Sequence, residues 1–117
     1  MRGNVTTAAL AGLATAAGVS GAFAQDDTDP YYAYRNQIGL LRYCVARGFV
    51  DAGQADTASG HLQEAIATLP APSDPARGDA SEKAGASGKW GHTETDLADY
   101  VKIFGTTEEA QCKEWVR

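Results

Sequence analysis

Apolar and polar positions first fall into an α-helical period a quarter of the way along the chain. Tyr34, Ile38, Leu41 and Val45 recur at spacings of four, three and four, and Leu40 with Cys44 widens the same face. Asp29 followed by Pro30 is an N-cap and a first helical position where the missing N–H costs nothing, and Gly48 is a natural stop. The pattern predicts a helix over 31–47, with Arg35, Arg42 and Arg47 outside and Cys44 on the buried flank.

A second period runs from Asp51, a capping residue, to Leu69 before Pro70. Ala55, Ala58, Leu62, Ala65, Ile66 and Leu69 hold the helical spacing, and the short link after the first helix predicts an antiparallel hairpin. The stretch 70–91 breaks the pattern. It holds three Pro, four Gly and no aliphatic residue larger than Ala, and reads as a flexible loop that covers surface. Within it Asp74–Pro75 can start a short helix ending at Gly85, with Asp79, Glu82 and Lys83 solvated. Trp90 stands alone there, either as a plug on the hairpin or, with His92, as an exposed interaction surface.

Helical signals return with Thr93 and Asp96, spaced as a capping box, before TDLADYVKIF and Gly105. Thr106 and Glu109 repeat the device ahead of EEAQCKEWVR, whose Ala110, Cys112, Trp115 and Val116 are the expected buried side. The elements together predict an all-α fold: a small bundle of three to four helices with a Pro/Gly-rich loop between the second helix and the C-terminal ones.

Residues 1–24 stand apart from this bundle. Arg2 is the only charge before Asp26, an Ala/Leu/Val-rich run follows, and Ala22-Phe23-Ala24 has the small residues of a signal-peptidase site. The run is shorter than the roughly 20 residues of a spanning helix. A cleaved signal peptide with Gln25 as the first mature residue is expected, hence a periplasmic or secreted destination, with 25–117 as one soluble helical domain and no stable membrane insertion.

Loss of Arg2 leaves nine Lys and Arg against fifteen Asp and Glu, a net charge of -6. An acidic chain without a basic stripe disfavours nucleic acid and anionic lipid as partners. Leu, Ile, Val and Phe supply only 14 of the 93 residues after Ala24. So lean a core gives a covalent staple unusual weight. Cys44 and Cys112 permit one pairing, export supplies an oxidising space, and no C-x-x-C motif suggests a redox pair. A structural disulfide between them closes a long loop, with a stabilisation of about 4 kcal/mol on the chain-entropy model.

Catalytic signals are thin. His61 and Glu64 share a helical face but lack further ligands, so a solvated His beside a carboxylate is the better reading. His92, Glu94 and Asp96 read as loop and capping residues. No serine lies in a G-x-S-x-G context, and no glycine-rich phosphate loop follows a strand. The expectation is a protein that is not an enzyme, with no catalytic residue, metal or cofactor.

The segments LLRYC, LPAP, AGASGK and TTEEAQCK resemble those of small exported bacterial helical proteins without an assigned activity. In architecture the chain is similar to periplasmic acid-stress chaperones of the HdeA type. Acidification would carry its net charge from -6 to about +11, nine basic residues plus two His, and loosen the meagre core. Three functional expectations follow: a binding or structural module for another envelope protein, an acid- or envelope-stress chaperone, and a secreted pore-forming or virulence-associated protein similar to WXG-type hairpins. From that last pattern the chain departs, because Trp90 and Gly91 are adjacent.

Overall fold

The structure, a computed structural model, describes residues 29–91 and 95–117. Among the described residues there are five helices: α1 (Pro30–Ala46), α2 (Ala52–Ala67), α3 (Pro75–Ala86), α4 (Leu97–Ile103) and α5 (Glu108–Trp115). Among the described residues there is no strand, only an isolated antiparallel bridge between Lys89 and Asp96. The all-α class and the Cys44–Cys112 tie are as the sequence predicts. The expected signal peptide and its Ala24/Gln25 junction, together with His92 and Thr93, lie outside the described residues.

Helix α1 is the hub. The Asp29 carboxylate accepts from the Tyr31 N–H at 2.9 Å, satisfying one orphan donor of the first turn. At the other end Gly48 has φ +78°, and the Phe49 N–H returns to the Cys44 carbonyl at 3.0 Å. This chain reversal sends α2 back along α1. Asp51 and Gln54 form a reciprocal capping box at the start of α2, with bonds of 2.8 and 3.2 Å. Its end comes at Ala67, two residues short of Leu69, where Thr68 turns its hydroxyl onto the Ala65 carbonyl. Only Ala55 of α2 is buried; Leu62, Ile66 and Leu69 stay half-exposed.

The stretch read as a surface loop carries the short helix that Asp74–Pro75 can start, and α3 runs twelve residues along α1. Asp74 caps it by accepting from the Arg77 N–H. The two helices are parallel: Gly78 lies against Tyr31, Gly85 against Asn36 and Leu40, and Gly88 against Tyr43. Their backbones touch. A Cβ on Gly39 would overlap the Glu82 carbonyl, and one on Gly85 would overlap the Asn36 carbonyl. Gly78, Ser81 and Gly85, at spacings of three and four, are the buried stripe of α3. Glu82 is not solvated as the sequence pattern suggests but sits at the α1 interface.

The hydrophobic cluster gathers Leu40, Leu41, Cys44, Val50, Ala55, Leu97, Val101 and Cys112. It thus draws on α1, α2, α4 and α5. The Cys44–Cys112 disulfide lies within it, fully buried, with Cα atoms 5.7 Å apart and a separation of 68 positions in sequence. Helix α5 is capped by Thr107, which accepts from the Ala110 N–H at 3.1 Å; the cap is one residue later than the Thr106–Glu109 spacing suggests. Ala110 is exposed, while Trp115 and Val116 pack against the cluster.

Candidate interaction surface

Trp90 is held by the segment that joins α3 to α4. Its own N–H donates to the Thr95 carbonyl at 2.9 Å, the Leu97 N–H donates to the Gly88 carbonyl at 2.8 Å, and Lys89 Nζ meets Asp96 Oδ1 at 2.8 Å. That last bond explains why α4 starts at Leu97 without a side-chain cap: the Asp96 carboxylate is engaged by Lys89 instead.

A second device fixes the same segment from below. Asn36, 3% exposed within α1, sends its Nδ2 to the carbonyls of Ser81 and Lys89, each at 3.1 Å, and accepts from the Gly91 N–H at 2.8 Å. One side chain therefore pins α3 and the Trp90 segment to α1. Helical periodicity places Asn36 among polar positions and gives no hint of this role; the signal that carries it is the small-residue stripe Gly78, Ser81, Gly85, which brings a second backbone within reach of a short amide.

So positioned, the Trp90 ring is half-buried and stacks on Tyr100 of α4, with centroids 4.0 Å apart and planes at 16°. Trp115 of α5 lies nearly parallel to it at 5.9 Å. Tyr100 in turn contacts Phe104 at 5.1 Å, so four rings from three parts of the chain form one row. Its outer end is open: Phe104 is 65% exposed and the adjacent Ile103 75%. His92, expected beside Trp90 in this surface, lies outside the described residues.

Two charged clamps flank α1. Arg35 Nε and Arg42 Nη1 bind the two oxygens of Glu82 at 2.7 and 2.6 Å, and Arg35 also reaches Asp79 and the Tyr31 hydroxyl. Arg35, expected outside, is thereby drawn into the α1–α3 interface with a side chain only 19% exposed. Burial works against the charged forms here, yet the arginine–carboxylate bonds outweigh it, holding Glu82 below the usual glutamate range and raising Arg35. On the α5 side the Tyr43 hydroxyl donates to Glu108 Oε2 at 2.6 Å and Arg47 reaches Oε1 at 3.1 Å. Burial, reinforced by the Glu108 charge, pushes Tyr43 above the usual tyrosine value.

His61 and Glu64 are both exposed on α2. Among the described residues no three His, Cys, Asp or Glu side chains group so as to hold a metal ion. His61 lines a groove of about 290 Å³ with Tyr34, Leu62 and Trp115, and a second groove of about 410 Å³ opens on the other side of α2, by Ile38, Arg42 and Asp56.

No family model, no curated protein and no solved structure matches the chain. What stands is a small helical protein built around one disulfide, with an aromatic row that ends in exposed apolar side chains.

Proposed function

We propose that residues 25–117 form an exported binding module that presents the edge of Phe104, Ile103 and Tyr100 to another envelope protein. The observation that carries this reading is the exposure of two adjacent large apolar side chains at the open end of a rigid aromatic row. Such rows bury their hydrophobic area in ordinary cores, and a contiguous exposed patch marks an interaction site more often than a scattered apolar residue does. Export is supported by the Cys44–Cys112 bond, since disulfides persist in oxidising compartments. Among the described residues no helix is long and apolar enough to cross a membrane. The test places a photoreactive phenylalanine at position 104 and, as a control, at position 64 on α2, in the cells that make the protein. The module crosslinks one recurring envelope protein from position 104 only, and Ile103→Asp abolishes the adduct. Equal adducts from both positions, or none, would refute it.

A second reading, an acid-stress chaperone, is favoured by the pairing of Arg35, Arg42, Arg47, Lys89, Lys102 and Lys113 with carboxylates. Strong acid removes the carboxylate charges that offset these cations and leaves a strongly positive chain. Client aggregation followed at pH 2 to 3 with and without the purified protein decides this: suppression supports it, and none ends it.

A further inference from the structure

Helix α3 is attached to the molecule differently from the other four described helices. Among the described residues it contributes no side chain to the hydrophobic cluster, whereas α2, α4 and α5 each insert buried apolar groups and α5 is also covalently tied. What holds α3 is backbone contact at Gly39 and Gly85, the Asn36–Ser81 hydrogen bond, a bond from the Asp74 N–H to the Tyr32 hydroxyl at 3.1 Å, and the cluster around Glu82. Within that cluster Arg35 and Arg42 come from α1, and Tyr31 of α1 accepts from Arg35. Asp79 of α3 shares Arg35, and its side chain is 78% exposed. Arg77 and Lys83 are the remaining charges of α3, and Arg77 lies over the Tyr32 ring at 4.8 Å.

We propose that Glu82 is an acid latch: protonation of its carboxylate frees α3 from α1, while the disulfide-tied cluster of α1, α2, α4 and α5 stays folded. Neutral Glu82 removes the counter-ion that Arg35 and Arg42 share and leaves the 19% exposed Arg35 with Asp79 alone, and losing compensation of a partly buried charge is costly. No apolar side chain on α3 offsets that loss. The strip uncovered on α1 includes Tyr32, Gly39 and Leu40, all buried when α3 is closed. The direction follows from the clamp. The folded state holds the Glu82 carboxyl below its ordinary value, so its contribution is complete above the ordinary glutamate value of roughly 4.3 and is lost as pH falls through the lowered one. The latch operates whether the module docks an envelope partner or protects clients.

Hydrogen–deuterium exchange of the disulfide-bonded protein, read by mass spectrometry at pH 7 and pH 3 with times scaled to intrinsic exchange, tests it. Amides of α3 are expected to lose protection at least tenfold at pH 3, while those of α5 and the second half of α1 change less than twofold. Glu82→Gln should loosen α3 at pH 7 already and flatten the pH response. The milder Arg42→Gln, at a side chain 60% exposed, should move the opening midpoint to higher pH. Retained α3 protection at pH 3, simultaneous loss in all helices, or an unmoved midpoint in Arg42→Gln would overturn the latch.

Discussion

The side-chain amide of Asn36, buried in α1, donates to the main-chain carbonyl of Ser81 on α3 at 3.1 Å, across 45 residues of sequence. The same amide closes on Lys89 and Gly91, so replacing it strands one buried and two partly buried backbone groups at once. An orphaned buried donor or acceptor costs roughly 1–3 kcal/mol. Asn36→Leu is therefore expected to destabilise the protein by about 2–3 kcal/mol in chemical denaturation. It should also change Trp fluorescence, because the Trp90 segment loses its anchor. A loss under about 0.5 kcal/mol would show that water replaces the amide.

Two glycines on different helices make opposite predictions. Gly85→Ala drives a methyl group into the α1 backbone at Asn36, and overpacking of this kind costs about 1–3 kcal/mol. Gly60 on α2 has nothing within 4 Å of a prospective Cβ, so Gly60→Ala gains the roughly 1 kcal/mol by which Ala exceeds Gly in a helix. Thermal unfolding should place the melting temperature of Gly85→Ala below the wild type and that of Gly60→Ala above it. Equal shifts would mean that α3 does not dock on α1 as described.

Alkaline pH reports on the α5 clamp. Burial and the neighbouring Glu108 raise the folded-state value of Tyr43, which keeps its hydroxyl protonated and donating. A raised value contributes stability that is complete below the ordinary tyrosine value of about 10 and is lost as pH rises through the folded one. Stability should fall above pH 10, and Tyr43→Phe should remove part of that fall. An unchanged alkaline profile in the variant contradicts the clamp.

Much of this architecture is legible because it follows from local rules. Asp29 with Pro30, Gly48, Asp51 and Gly105 mark helix ends through backbone groups that need partners or left-handed φ, and these constraints act within a few residues. The buried flank of α1 shows in the spacing of Ile38, Leu41 and Cys44. Helix α3 is harder to read, since docking through Gly78, Ser81 and Gly85 leaves no hydrophobic period, and close backbone approach is invisible to hydropathy. Arg35 and Glu82 look like solvated charges for the same reason. Their partners lie on a helix whose placement only the tertiary fold determines. The aromatic row combines Trp90, Tyr100 and Trp115 from separate segments, and nothing local announces it.

All of these features hang on the Cys44–Cys112 tie within a lean core. Loss of the bond costs about 4 kcal/mol on the chain-entropy model, most of the roughly 5 kcal/mol at the low end of domain stability, where so lean a core belongs. The direct measurement is circular dichroism of Cys44→Ser through a thermal scan beside the oxidised wild type. The variant is expected to be substantially unfolded at physiological temperature. Unchanged helicity and melting in Cys44→Ser would contradict the account, leaving the α1 anchor dispensable.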